Sequence, residues 1–379
     1  MKTVKVHING GGKQRTIKGS NGYSFDIDHL RFFNEGLKLL ISHLPETDGK
    51  LIFPMTGNAP IVPACAAALN PKASIIINEM DAHDFRMMSS SVGHYSNVEV
   101  SLKSDLDGVG EGPVHVFYQV EKNADRLLAF DILERLSKVL PNASEVFLLM
   151  AKNRQKDLMK KLGKIFSKGT IIGKTRDFSL YRGLTDKEKD KWTPREKKVE
   201  VDAMGAYMQM LSRPGVFSHG RVDTGGLALY DSLELKPGES MLELGSGAGL
   251  VGLLTAIRQK EQNGSESNVI HMVDSSVRAI DCCKENIKDL ALEKVSCELS
   301  DKFESDDRYD VFAGNPPYYA NHRIAEYFIV TAAKSLKPGG RIYIVSKHAV
   351  EMEEIMDTYG FEACSQKRRG YDITIGHLK

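Results

Sequence analysis

The stretch SMLELGSGAGLVGLLTAI, residues 240–257, decides how this chain is read. A short apolar run ends at Leu244, three glycines follow in alternation, and a helical apolar pattern begins at Leu250. Strand, tight turn and helix in that order are the opening unit of an α/β layer fold. Gly245, Gly247 and Gly249 allow positive φ and let a ligand approach the backbone where the helix starts. Similar units recur along the chain, which predicts a mainly parallel sheet. They also recur at a fixed distance. ASIIINEMD ends near Glu79 and NVIHMVDSS near Asp274, VHVFYQVEK sets Val120 against Asn315, and EVFLLMAK sets Lys152 against Lys347. All three spacings are 195 residues, and Gly57 against Gly247 gives 190, with QKEQNGSES as the extra connection. Equal spacings predict a duplication. Between the copies lies TDKEKDKWTPREKK, whose mixed charge predicts a solvated linker over 185–198. The domains are then 1–184 and 199–379.

Composition bounds what such a chain does. Its 379 residues suffice for two domains, 41% are hydrophobic and 27% charged, and the formal net charge is +1. A nucleic-acid partner must therefore be held by a local patch rather than by a global field. The five cysteines show no CxxC spacing, so they read as reduced thiols, and no metal site is expected. The N-terminal residues lack the apolar core of a signal peptide, and no run reaches membrane length. A cytoplasmic protein is expected.

Two cofactor classes use a glycine turn of this kind. Gly247-Ala-Gly-Leu-Val-Gly252 is a dinucleotide fingerprint, with Asp274 at a distance suited to ribose hydroxyls. Read one step earlier, Glu243-Leu-Gly245-Ser-Gly247-Ala-Gly249 is the turn of class I S-adenosylmethionine methyltransferases. An acid at the strand end suits a ligand carrying ammonium and sulfonium charge and suits a pyrophosphate poorly. YDVFAGNPPYYA, residues 309–320, separates the two. Asn315-Pro316-Pro317-Tyr318 is the NPPY form of a motif in methyltransferases that modify planar amino groups. A ring-conjugated amine is a weak nucleophile; acceptors on the Asn315 side chain and the Pro316 carbonyl can take its N–H groups and concentrate density on nitrogen. The prolines hold those acceptors, and Tyr318 offers a ring for a flipped base. Asp301, after the third strand of this half, suits the adenine amine of the cofactor, and Ser275 offers a hydroxyl or a helix cap.

With these residues the chain resembles the ribosomal-RNA guanine-N2 methyltransferases of the small-subunit methyltransferase C type, over most of its length. In RPGVFSHGRVDTGGLAL, residues 213–229, Phe217, Arg221, Asp223 and Gly225 hold the recognisable positions, and the resemblance makes Phe217 a cover for the cofactor. It implies two tandem Rossmann-like methyltransferase domains, the N-terminal one degenerate, and methyl transfer from S-adenosylmethionine to guanine N2 in ribosomal RNA of the small subunit. Tyr318 stands where many members have Phe, which leaves adenine-N6 as the alternative target. A non-catalytic RNA-binding or assembly factor is the alternative outside enzymes. In the first copy Phe53 replaces Glu243, Met55 and Ala59 replace Gly245 and Gly249, and Val120 and Glu121 replace Asn315 and Pro316. That copy is expected to bind RNA instead. Residues 152–168 hold seven Lys or Arg against one Asp, whereas 347–363 hold one Lys against five acids. Lys152, Arg154, Lys156, Lys160, Lys161 and Lys164 are the expected phosphate contacts, with QKRRG at 366–370 as a weaker cluster. Nothing in the sequence demands more than a monomer.

Overall fold

The computed structural model describes residues 34–57, 59–107, 109–112, 114–189, 193–264, 268–317 and 322–379, and the backbone of 3–5, 14–18 and 24–28. It divides into two compact units, Met1–Arg195 and Glu196–Lys379.

In the second unit, seven strands form one sheet in the order Val295–Leu299, Val269–Asp274, Ser240–Leu244, Tyr309–Gly314, Leu336–Ser346, Tyr371–Leu378, Phe361–Arg368. The first five run parallel, and Tyr371–Leu378 is antiparallel to both neighbours. Successive side chains of a strand face opposite sides. Met241 accordingly joins a core with the helix Leu250–Asn263, while Leu242 joins another with Phe328 and Ile329. Strand order reverses between Ser240–Leu244 and Tyr309–Gly314, where open α/β sheets have a crevice at the carboxyl ends of the strands. Leu244 lies beside Gly314 in register, so the glycine turn and Asn315 emerge side by side.

The first unit repeats this plan. Its sheet runs Val98–Leu102, Ser74–Glu79, Lys50–Pro54, His115–Val120, Glu145–Ala151, Phe178–Thr185, Phe166–Lys174. Register carries the repeat residue by residue. Gln119 pairs with Leu149 and Gly314 with Ile344, and both differences (314 − 119 and 344 − 149) are 195. Val120 therefore fills the place of Asn315, buried at 2% exposure.

In the charged stretch at 185–198, the described residues 185–189 and 193–198 make specific contacts. Thr185 ends a strand, Lys187–Lys189 forms a short 3-10 turn, and Lys197 opens the hairpin Lys197–Ala203 and Ala206–Ser212. Lys187 donates to the Lys138 carbonyl, Lys189 to those of Gly163 and Phe166 at 3.1 and 3.2 Å, and Arg195 pairs with Glu134 at 2.5 Å. These cations cap carbonyls and satisfy a carboxylate, a use that composition alone does not reveal. Among the described residues no helix is long and apolar enough to cross a membrane.

Candidate cofactor and target-amine site

The strand Ser240–Leu244 delivers its chain into a turn that only glycine accepts without strain. Gly245, Gly247 and Gly249 take φ of +73, +57 and +93°, and Gly249 caps the helix Leu250–Asn263. Gly245 and Ser246 both donate to the Val273 carbonyl, at 2.8 and 3.1 Å, which ties the turn to the next strand. From that strand's end Asp274 accepts from Gly247 N at 2.8 Å with Oδ2 and from Ser276 N at 2.8 Å with Oδ1. Its two oxygens are thus held by two backbone amides, an orientation that needs no neighbouring cation.

Glu243 is buried at 4% exposure and accepts from Gly252 N at 2.8 Å. Burial pushes its carboxyl up to about 8, against the pull of that N–H, and the nearby Asp274 charge adds to the rise. Gly252 leaves room for this contact: a Cβ would stand 2.8 Å from Glu243 Oε2 and 2.6 Å from Met272 Sδ, so those side chains would have to shift.

Five of the expected residues line one cleft: Phe217, Glu243, Gly245, Gly247 and Asn315. Met210, Ser218, Arg221, Asp223, Ser246, Ala248, Leu250 and Val251 complete it. Phe217 is 68% exposed at its mouth. Asn315 is half-buried, Pro316 buried and Pro317 half-buried, while Tyr318 lies outside the described residues. Asn315 Nδ2 donates to Asp223 Oδ2 at 2.9 Å. Asp274 touches the cleft through Gly247; Ser275 and Asp301 are half-buried and outside its lining. Ser275 is not the helix cap either. Ser276 is, accepting from Ala279 N at 3.4 Å, because Asp274 draws the Ser276 amide onto itself.

Met210, Ser218, Ser246, Ala248, Leu250 and Val251 are the lining residues that motif reading passes over. Ser246 Oγ is buried and has no partner among the described residues. Its place inside the motif was the signal available. Met210 comes from the hairpin, held to the turn by Asn286: this buried amide donates to the carbonyls of Leu211 and Ala248, both at 3.0 Å, and accepts from Leu211 N at 2.7 Å. No local pattern announces that link across 75 residues.

The turn fits a cationic, ribose-bearing cofactor. A Cβ at Gly247 would meet nothing within 4 Å, so the backbone there is open to a ligand, beside an unpartnered hydroxyl and two acids.

In the first unit the matching space is about 10 Å³, against about 50 Å³ for the cleft of the second. Met55 and Gly57 keep φ of +50 and +53°, the shape of the glycine turn without its first glycine. Phe53 stacks on Phe117 at 5.5 Å, Phe117 stacks on Phe147 at 4.8 Å, and Glu79 accepts from the amide and hydroxyl of Thr56.

The basic segment forms the helix Lys152–Ile165. Lys152, Lys156, Lys160 and Lys164 are exposed at four-residue spacing, a slowly winding stripe with about 6 Å of rise per step. Arg154 and Lys161 are not free for phosphate. Arg154 donates to the carbonyls of Lys122 and Ala124, each at 3.0 Å, and Lys161 Nζ sits 4.0 Å over the Phe130 ring. In the weaker cluster Lys367 pairs with Asp372 at 2.6 Å and Arg369 with Asp231 at 2.5 Å. Among the described residues His322, His348 and Glu351 bring possible metal-ligand atoms within 4.8 Å of one another at the surface.

The family model of the methyltransferase small domain matches residues 207–375. The uncharacterized protein YbxB of Bacillus subtilis is 32% identical over 173 residues, 43% of this chain and 82% of that protein. Ribosomal RNA small subunit methyltransferase C of Photobacterium profundum is 27% identical over 55% of this chain and 61% of the relative. The chain spans about half the length of several relatives of that name, 53% for the one from Vibrio cholerae. Among solved structures, the T. thermophilus 16S rRNA N2 G1207 methyltransferase, in complex with AdoMet and guanosine, aligns at a TM-score of 0.74. That alignment covers 97% of this chain and 98% of the other at 19% identity, a likeness of fold.

Proposed function

This chain belongs to the methyltransferase small-domain family, of the ribosomal RNA small subunit methyltransferase C type, and from that premise we propose that it methylates the exocyclic N2 amine of a guanine in ribosomal RNA. Its methyl donor is S-adenosylmethionine. The observation that carries the reading is the shared cleft: Asn315 of the NPPY segment lines the same space as Glu243, Gly245 and Gly247 of the cofactor turn.

When bound, S-adenosylmethionine supplies a methyl carbon made electrophilic by its sulfonium. The chain's residues supply placement. Glu243 presents a buried carboxyl to a cationic ligand, and Asp274 presents oxygens pre-aimed by two amides to ribose hydroxyls. Ser246 offers its unpartnered hydroxyl, Phe217 covers the mouth, and Ser275 and Asp301, outside the cleft's lining, serve the adenosine end. Asn315 Oδ1 and the Pro316 carbonyl accept the two N–H groups of the target amine, drawing density onto nitrogen and fixing its distance from the donor. Pro316 and Pro317 remove backbone freedom at that point, and Tyr318 supplies a stacking ring. Positive charge developing on nitrogen is met by these acceptors, and the surplus N–H proton passes to water once nitrogen is alkylated, so no strong base is required.

The first domain contributes grip rather than chemistry: Lys152, Lys156, Lys160 and Lys164 hold phosphates. The reading carries with it a 16S substrate, a monomeric enzyme and a cytoplasmic location. Incubating the purified protein with S-adenosylmethionine and unmodified ribosomal RNA, then digesting to nucleosides, tests it. N2-methylguanosine is expected. N6-methyladenosine would move the activity to the other amine, and no methylated base would reject enzymatic function.

A further inference from the structure

We propose that Asp223 is a positioning residue: it sets which half of the Asn315 carboxamide faces the target amine. The inference rests on the proposed function for its activity arm, and its structural arm stands apart from it.

A carboxamide is nearly symmetric in shape but not in chemistry. Turned one way, Asn315 offers an acceptor to an amine; turned the other way, it offers a donor that cannot help one. Something must choose. Asp223 Oδ2 already accepts from Gly226 N at 2.5 Å, so that oxygen faces the helix start as an acceptor. Only the NH2 half of Asn315 can complete the 2.9 Å contact to the same oxygen. Oδ1 is thereby turned away from Asp223.

The surroundings keep this contact compact. Asp223 is the N-cap of the helix Thr224–Ser232, with its backbone fixed at φ −79° and ψ 120°. A Cβ at Gly225 would stand 3.2 Å from Asp223 Oδ2 and 3.4 Å from Asn315 Nδ2, against both halves of the pair. A Cβ at Gly226 would stand 2.8 Å from Leu250. The two glycines let the capped helix end approach the NPPY segment closely enough for one carboxylate oxygen to serve both.

A simple helix cap predicts a different outcome from substitution. Asn and Asp cap helices about equally well. D223N therefore keeps the cap but supplies both a donor and an acceptor toward Asn315, and the amide loses its preferred sense. D223S keeps a cap and cannot reach Asn315. For D223N and D223S we expect a melting temperature within about 3 °C of the native protein, a cofactor Kd within about threefold, and kcat on ribosomal RNA lowered at least tenfold, about 1.4 kcal/mol in the barrier. A D223N enzyme with kcat within twofold of native would overturn the proposal. So would parallel losses of stability, cofactor affinity and kcat in both variants, which would make Asp223 a structural cap alone. The structural arm reads the Asn315 side-chain NH2 signals in 15N spectra, assigned with N315D. Slow exchange in the native protein, lost in D223N, supports the contact even if ribosomal RNA goes unmethylated. Fast exchange in both removes it.

Discussion

Glu243 sets a pH dependence that belongs to a single side chain. Burial holds its carboxyl at about 8 in the folded protein, against an ordinary value of 4.5. An acid raised on folding keeps its proton where the unfolded chain has lost it. Its contribution to stability is thus intact below about pH 4.5 and is lost as pH rises through 8. Glu243→Gln should therefore melt at an unchanged temperature near pH 4 and higher than the native protein near pH 9, without cofactor. A cationic ligand reverses the shift and expels the proton. Calorimetric titration with S-adenosylmethionine at pH 7, in two buffers of different ionisation enthalpy, should show proton release by the native protein and none by the Gln variant. Buffer-independent heats would remove Glu243 from the cofactor's charge. The motif made this residue legible because strand, acid and glycines are contiguous. The cap at Ser276 rather than Ser275 was not legible, since the Asp274 oxygen that decides it acts through space.

At the scale of elements, the hairpin Lys197–Ser212 and the glycine turn are held together by Asn286. Replacing it with Leu leaves a buried N–H and two carbonyls without their partner. We expect a loss of at least about 3 kcal/mol in denaturant unfolding, with weaker cofactor binding, because each of the three groups costs about 1–3 kcal/mol. An effect below about 0.5 kcal/mol would show that the hairpin is held otherwise. The helix Lys152–Ile165 makes a separate claim. Changing Lys152, Lys156 and Lys160 together to Gln should flatten the slope of log affinity for RNA against log salt by about 2, at roughly 0.7 per lost phosphate contact. An unchanged slope would take this helix out of the RNA interface. Charge counting found the helix, but not that Arg154 and Lys161 are spent on neighbouring carbonyls and on Phe130. Composition reports how many cations a segment has, and only packing reports which of them face water.

Across the whole molecule, one fold is written twice. The strand orders match, the pairing of His115–Val120 with Glu145–Ala151 is repeated by Tyr309–Gly314 with Leu336–Ser346, and the positive φ of Met55 matches that of Gly245 in the other copy. In the first unit the rings of Phe53, Phe117 and Phe147 stack, and Glu79 is taken by Thr56. One cofactor per chain is the expected calorimetric stoichiometry, and two would mean that the first unit still binds. The duplication was visible in the sequence because strand-ending residues recur at a constant spacing. How Lys187 and Lys189 are held was not, because their partners are main-chain carbonyls without a sequence signature. The account stands or falls with the amide beside the cofactor turn, which Asn315→Ala removes while leaving the turn intact. Radiolabelled methyl transfer into guanine N2 of ribosomal RNA, measured with the cofactor Kd for native and variant protein, tests it directly. We predict transfer reduced to about 1% or less with Kd within about threefold; an Asn315→Ala enzyme that keeps a tenth of native transfer would contradict the account.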